Sequence, residues 1–168
     1  CDSVYTDYRE MLARESLDGV VVATWPKQHR EHIVDCLGAG VRNVLCEKAL
    51  TTSAEDAMLI WDEAGREGAT VMEGFMYCYH PAMTCLQSIL HQEPVGTVDH
   101  IRGVFNMCLA EPEDAVAAAQ SWRNRPDIGG GVAFDFTCYP VDAVRFFARS
   151  LPRMVFANGA INEKYGTI

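Results

Sequence analysis

The sequence lacks an apolar run long enough to cross a lipid bilayer. Its uninterrupted apolar runs, such as those at residues 19–23 and 58–61, are short, whereas a membrane-spanning helix needs roughly 20 such residues. Residues 1–8 contain neither the basic segment nor the apolar segment that opens a secretory signal peptide. We therefore expect no membrane association and no signal peptide.

Positive charge is also scarce. The 168 residues carry 14 Lys and Arg against 23 Asp and Glu, which gives a net charge of −9 and an isoelectric point near 4.9. A chain this acidic repels nucleic-acid phosphates and anionic lipids, and no basic cluster in the sequence offsets the repulsion. The composition, 49% hydrophobic and 22% charged, is that of a globular protein and excludes a disordered chain. Binding to nucleic acid or to a membrane surface is therefore not expected.

Cysteine pairs with C-x-x-C spacing are absent, and the total of seven cysteines is odd. Most of them have apolar neighbours, which is typical of reduced thiols in a cytoplasmic protein rather than of a disulfide framework. His29, His32 and Cys36 share one helix face at a spacing compatible with metal ligation. Because no fourth ligand is evident, we predict no metal site, but a core-facing thiol with two imidazoles on the helix surface.

A phosphate-binding turn of the form G-x-G-x-x-G is missing as well. The first part of the chain instead alternates helical and strand patterns. Apolar, β-branched runs predict three strands, the first of them buried on both faces, at residues 18–24, 41–46 and 69–72. Helical spacing predicts helices at 8–15, 28–39 and 51–66. This order is typical of a parallel sheet with right-handed crossovers, so residues 1–72 are predicted to form half of a doubly wound α/β domain.

The pattern changes after residue 73. The second part is predicted to contain a helix, an antiparallel strand, a surface segment, a long helix and a final strand, at 80–90, 98–108, 111–120, 129–148 and 153–160. Such a mixture indicates an α+β domain over residues 73–168, with the domain boundary near Glu73.

Three segments carry residues suited to chemistry. Residues 23–29 and 45–50 follow two buried strands, at the edge where open α/β sheets place their ligands. The Glu47-Lys48 pair there is either part of such a site or an ordinary surface ion pair. In the third segment, Asp135, Tyr139 and Asp142 have the spacing of one helix face. Both a satisfied core Tyr–Asp pair and a chemical role fit that third pattern.

Five motifs occur in order along the chain: Thr-Trp-Pro at 24–26 with His29, Glu47-Lys48, the segment 73–81, Trp122-Arg123, and the segment 129–140 with its glycine triplet. Together they resemble the glucose–fructose oxidoreductase and inositol dehydrogenase family, in particular its dihydrodiol and D-xylose dehydrogenase branch. The resemblance runs from about Tyr5 to the last predicted strand. It implies a longer, two-domain enzyme with a Rossmann-type sheet followed by an α+β domain whose open antiparallel sheet serves oligomerisation. This chain is then a middle piece of such a protein.

The resemblance also implies roles, residue by residue. Lys48 corresponds to the catalytic lysine, Tyr139 to the residue that exchanges the substrate proton, and Asp135 to a residue that binds a sugar hydroxyl. Glu47 is expected to contact the nicotinamide ribose. The other residues expected at the cofactor are Thr24, Trp25, Pro26, His29, Trp122 and Arg123.

The implied reaction is hydride transfer between NADP or NAD and a hydroxyl of a sugar or of a cyclic polyol or diol, in a cytoplasmic homo-oligomer. The nearest branch favours NADP. Oxidation of an alcohol requires loss of the hydroxyl proton, and tyrosine, with a pKa of about 10 in water, is a better base beside an ammonium group. Ala49 and Cys78 depart from the family pattern, which has proline and often arginine there. A non-catalytic sensor of the same fold and an inactive truncated fragment are the alternatives.

Overall fold

The computed structural model describes residues 3–92, 96–107, 118 and 120–168. They form two compact units, Cys1–Gly74 and Phe75–Ile168. No helix among these described residues is both long and apolar enough to cross a membrane. The predicted surface segment 111–120 lies outside the described residues, except for residues 118 and 120.

The first unit alternates helices and strands, as the sequence predicts. Its elements are α1 (Tyr8–Arg14), β1 (Val20–Val22), α2 (Pro26–Gly38), β2 (Asn43–Cys46), α3 (Ala54–Glu67) and β3 (Thr70–Glu73). The strands form one parallel sheet in the order β1-β2-β3. Local chemistry sets the helix ends: the Ser53 hydroxyl accepts the Asp56 N–H at 3.1 Å at the start of α3, and Gly68, at φ 60°, ends it.

Helices α2 and α3 pack against one face of this sheet and close a shared core. The fully or nearly fully buried side chains of that core include Val22, Ile33, Leu37, Val44 and Ile60. Removing each large aliphatic side chain from water contributes about 1.5–3 kcal/mol. On the opposite face Val21 is 65% exposed, so the prediction that the first strand is buried on both faces is wrong. Within this chain both crossover helices cover the same face.

The second unit is mainly helical among its described residues. It contains a short 3₁₀ helix (Met76–Tyr79), α4 (Pro81–His91), two further 3₁₀ helices (Trp122–Asn124 and Pro126–Ile128), α5 (Val132–Asp135) and α6 (Cys138–Ala148). Helix α4 confirms the helix predicted at 80–90. It begins with Pro81, and the imidazole of His80 accepts the Ala82 N–H at 3.1 Å.

The single long helix predicted over 129–148 is wrong, because the chain leaves the helical conformation between α5 and α6. Phe136 adopts φ −124° and ψ −38° at this break. In an unbroken helix Pro140 would lack the N–H that bonds the Phe136 carbonyl, and its ring would collide with that carbonyl. Restarting the helix at Cys138 places Pro140 in the first turn of α6, where the missing N–H costs little.

The strands predicted at 98–108 and 153–160 are also wrong for the residues described, 98–107 and 153–160, which contain no strand. An alternating pattern indicates one covered face, but a strand also needs a hydrogen-bonded neighbour. Residues around Gly103 pack against α6 instead: a Cβ added to Gly103 would lie 3.0 Å from Cβ of Pro140. The Phe105 ring stacks on Phe136 and Tyr139, with centroids 5.4 and 5.2 Å apart.

Candidate active site

The carboxyl ends of β1 and β2 lie side by side, as the sequence predicts. Val22 is in register with Cys46, and the Glu47 N–H donates to the Val22 carbonyl at 2.9 Å. The residues that follow these strands therefore leave the sheet at one edge. Thr24, Trp25 and Glu47 are exposed there, and Lys48 is half-buried. This edge joins two of the sequence segments singled out for chemistry.

The segment after β2 holds Lys48 next to an acidic neighbour. The Lys48 N–H donates to Oε2 of Glu47 at 3.3 Å, and the Lys48–Ala49 peptide bond is cis. Gly74 follows β3 and passes close to this segment. A Cβ added there would lie 3.2 Å from the Cys46 carbonyl oxygen and 3.5 Å from Cα of Glu47. Gly74 belongs to the motif at 73–81, but the sequence alone does not reveal this close approach, which a glycine permits.

His29 lies behind this edge rather than on it. Its side chain is 0% exposed, and its nitrogens lie 3.0 Å from the carbonyl oxygens of Thr24 and Ala49. It is therefore not the surface imidazole that the helix pattern predicts. His32 is half-buried beside the same loop, with Nδ1 2.9 Å from Oγ1 of Thr24, and burial lowers the pKa of its imidazole. No group of three or more His, Cys, Asp or Glu within the described ranges could hold a metal ion.

In the second unit, Tyr139 lies in the first turn of α6 within an aromatic cluster. Its hydroxyl lies 3.9 Å from Sδ of Met76. Its ring stacks on Phe105 and meets the ring of Phe75 edge-on at 5.7 Å. Aromatic contacts of this kind fix the direction of the ring and hence of its hydroxyl.

Asp135 and Arg123 form a partly buried ion pair in this unit. Arg123 Nε donates to Oδ2 of Asp135 at 2.7 Å, and Asp135 is 3% exposed. The guanidinium also lies 5.0 Å from the ring of Trp122, within cation–π range. The family resemblance implies separate roles for these residues, at substrate and cofactor, and the sequence does not predict their pairing.

Asp142, the second acidic residue of the predicted helix face, has a different partner. Oδ2 of Asp142 accepts the Tyr77 hydroxyl at 2.6 Å and lies 3.6 Å from the Cys78 thiol. Burial, together with this hydrogen bond, raises the pKa of Tyr77 well above its ordinary value. The satisfied Tyr–Asp pair that the sequence left open therefore exists, and it joins Tyr77 to Asp142.

Two family models match this chain. Residues 2–75 match the oxidoreductase family with an NAD-binding Rossmann fold, and residues 84–167 match the GFO/IDH/MocA C-terminal domain. A D-xylose 1-dehydrogenase (NADP(+)) of Haloferax volcanii is 32% identical over 155 residues, covering 92% of this chain and 45% of the relative. A trans-1,2-dihydrobenzene-1,2-diol dehydrogenase of Xenopus tropicalis is 28% identical over 160 residues, covering 95% and 46%.

Solved structures show the same fold. Levoglucosan dehydrogenase, in complex with NADH and levoglucosan, superimposes with a TM-score of 0.76 at 22% identity, covering 85% of this chain and 38% of that chain. The chain spans about half the length of the curated relatives it matches. Both family models follow one another along the sequence, in the order expected from its motifs. The chain belongs to the GFO/IDH/MocA family of oxidoreductases.

Proposed function

We propose that the protein carrying this chain is an NAD(P)-dependent oxidoreductase that acts on a hydroxyl of a sugar or of a cyclic polyol or diol. The observation that carries the proposal is the placement of Lys48 beside Glu47 at the carboxyl edge of a family-typical parallel sheet. Open α/β sheets bind their ligands at that edge. The names of the two curated relatives, a sugar dehydrogenase and a diol dehydrogenase, support the substrate class.

The exposed residues of this edge suit a nucleotide cofactor. Glu47 offers a carboxylate that can accept hydrogen bonds from ribose hydroxyls, Thr24 offers a hydroxyl, and Trp25, which is 42% exposed, offers a flat apolar surface. We assign these three residues, with the buried Pro26 at the start of α2 supporting their loop, to cofactor binding. A bound nicotinamide supplies the hydride acceptor or donor. NADP is the proposed form, because the D-xylose 1-dehydrogenase of Haloferax volcanii is named with that cofactor.

The protein's own residues handle the substrate and its proton. Lys48 orients the substrate hydroxyl through its ammonium group and favours the deprotonated oxygen. Tyr139 exchanges the hydroxyl proton, as a general acid in one direction and a general base in the other. Asp135, held by Arg123, binds a further hydroxyl, and Trp122 with Arg123 contributes to cofactor binding. His29 acts indirectly through the loops that it joins.

The remaining assignments follow from the family resemblance. We propose that the intact protein is a homo-oligomer and works in the cytoplasm. Sedimentation of the purified protein measures the first, and fractionation of the source cells measures the second. A protein that sediments as a monomer contradicts the proposed assembly.

The Lys48→Met variant of the intact gene product tests the proposed reaction. We expect turnover with NADP and a panel of aldoses and cyclic diols to fall by about 10²–10⁴-fold, since the charge that favours the alkoxide is lost. Cofactor affinity, measured by quenching of tryptophan fluorescence, should change less than about threefold. Lys164→Met is the matched control and should keep full turnover.

Each other outcome has a definite meaning. Undiminished turnover in Lys48→Met contradicts the role of Lys48. A wild-type protein that binds NADP but oxidises nothing on the panel contradicts the enzymatic proposal and favours the non-catalytic sensor.

A further inference from the structure

The backbone around Lys48 is held from two sides by side chains to which sequence reasoning gave no such role. On one side lies His29 of α2. Its Nδ1 lies 3.0 Å from the Ala49 carbonyl oxygen and 3.2 Å from the Leu50 carbonyl oxygen, and its Nε2 lies 3.0 Å from the Thr24 carbonyl oxygen. One imidazole thus spans the loop after β1 and the loop after β2.

The hydrogen-bond chemistry of this contact is restrictive. A carbonyl oxygen only accepts, whereas a neutral imidazole has one N–H and one bare nitrogen. Both loops can be held only if both nitrogens of His29 donate. A bare nitrogen 3.0 Å from a carbonyl oxygen would bring two lone pairs together in a fully buried place.

On the other side lies Glu73, the last residue of β3. Its Oε1 accepts the Leu50 N–H at 2.7 Å. Glu73 is in register with Cys46 of β2, so the rigid sheet carries the carboxylate to the segment that follows Cys46. A hydrogen bond from a backbone N–H to a carboxylate is stronger than one between neutral groups.

We propose that His29 and Glu73 are positioning residues that together fix the backbone of Lys48, with His29 donating from both ring nitrogens. We call this pair the Lys48 clamp. Its importance for turnover rests on the proposed function, whereas its hydrogen bonds do not. Lysine has a long, flexible side chain, so the placement of its ammonium group depends on a fixed backbone. A reacting group displaced by about 1 Å can lose roughly 100-fold in rate.

The first experiment tests the hydrogen bonds of the Lys48 clamp without an activity assay. In the intact gene product labelled with ¹⁵N, the proposal predicts that both ring nitrogens of His29 are protonated and that the Leu50 amide exchanges slowly with solvent. A bare ring nitrogen on His29 would overturn the proposal, because only one of the two loops could then be held. A fast-exchanging Leu50 amide would overturn it as well.

The second experiment compares Glu73→Ala with Glu73→Gln. The glutamine keeps an oxygen that accepts the Leu50 N–H, whereas the alanine removes it. In Glu73→Ala we expect loss of the slow Leu50 exchange, a shifted Lys48 amide signal, and a kcat lower by about 10- to 100-fold, with the dissociation constant for NADP changed less than about threefold. Glu73→Gln should restore most of each property. Equal behaviour of the two variants, or an unshifted Lys48 signal in Glu73→Ala, contradicts the clamp.

The two proposals fail in different ways. If the wild-type protein shows both nitrogen signals and the slow Leu50 exchange but no turnover on any sugar or diol, the proposed function is wrong and the clamp stands. If turnover is present and unchanged in a folded Glu73→Ala protein that has lost the Leu50 hydrogen bond, the clamp does not position Lys48 and the proposed function stands.

Discussion

The carboxylate of Asp135, almost completely buried, is held by Arg123 through a hydrogen bond of 2.7 Å from Nε to Oδ2. This contact connects α5 with the short 3₁₀ helix Trp122–Asn124. Asp135, proposed to bind the substrate, and Arg123, proposed to bind the cofactor, therefore interact as an ion pair. Substitution of either residue changes the electrostatic environment of the other.

Substitution of Arg123 by Ala should therefore destabilise the second unit. The buried carboxylate loses a charged partner, which costs about 1–3 kcal/mol in the free energy of unfolding. Urea denaturation followed by circular dichroism measures the change. Asp127→Ala removes an ion pair with Arg125 that is exposed to solvent, and that control should change stability by less than about 0.5 kcal/mol. Equal losses of unfolding free energy in the two variants would contradict the expectation that the buried ion pair stabilises the protein more than the exposed one.

Gly130 is predicted to tolerate no side chain. A Cβ added there would lie 2.2 Å from the Trp122 carbonyl oxygen and 2.7 Å from that of Arg125, so the backbone must move. We expect Gly130→Ala to destabilise the protein by about 1–3 kcal/mol. Gly65→Ala is the matched control: it lies within α3 with nothing within 4 Å of the added atom, and should stabilise by about 0.5–1 kcal/mol. Urea denaturation of both variants provides the test, and a neutral Gly130→Ala would refute the tight packing.

Cys46 and Cys85 should differ sharply in reactivity. Burial, together with the nearby carboxylates of Glu73 and Glu47, raises the pKa of the Cys46 thiol to about 12, whereas Cys85 is exposed. Since the thiolate is the nucleophile, iodoacetamide at pH 8 should modify Cys85 and spare Cys46 until the protein is unfolded. Mass spectrometry of the digested protein reports both sites. Labelling of native Cys46 as fast as Cys85 would show that the end of β2 is open to solvent.

Tyr77 should make the free energy of unfolding depend on pH in the alkaline range. Its folded-state pKa lies above the ordinary value of 10.0, because of burial and the hydrogen bond to Asp142. The folded state therefore keeps the phenol proton where the unfolded state releases it, and this contribution is complete below pH 10 and is lost as the pH rises further. The free energy of unfolding should fall by up to about 1.4 kcal/mol per pH unit above pH 10 from this group.

The variant Tyr77→Phe removes that contribution, so its stability should fall less steeply between pH 10 and pH 11 than that of the wild type. Tyr79→Phe changes a side chain that is 66% exposed and should leave the slope as it is. Urea denaturation at several pH values gives the slopes. A wild-type slope in Tyr77→Phe would mean that the raised pKa contributes nothing to stability.

The sequence predicted the first unit better than the second, for a physical reason. In the first unit each element carries its own signal: the β-branched run around Val21 extends as a strand, and Ser53 and Gly68 bound α3. In the second unit the strand predicted near Val104 depends on a distant hydrogen-bond partner, which an alternating pattern does not reveal. The break before Cys138 did have a local signal, Pro140, which the apolar spacing concealed.

The candidate site also has parts that the sequence predicts and parts that it does not. The sequence predicted that Thr24 and Glu47 lie at the same edge of the sheet. The order strand, helix, strand indicates parallel strands, and the carboxyl ends of parallel strands meet at one edge. The pairing of Arg123 with Asp135 and of Tyr77 with Asp142 could not be predicted, since each joins residues of different elements. His29 shows the limit most clearly. Its helical spacing suggested a surface residue, and only the packing of two loops around it shows a buried one.

The direction of the parallel sheet gives the first unit two ends with different uses. All three strands point their carboxyl ends toward the Lys48 loop, and the turns at residues 39–42 and 67–69 therefore lie at the opposite end. Ala39 in the first of these turns is exposed and has an ordinary backbone conformation (φ −80°), whereas Gly40 and Gly68, at φ 91° and 60°, should stay glycine. A fluorophore, an affinity handle or an inserted peptide can be attached at that end, so that binding at the other end is followed without disturbing it.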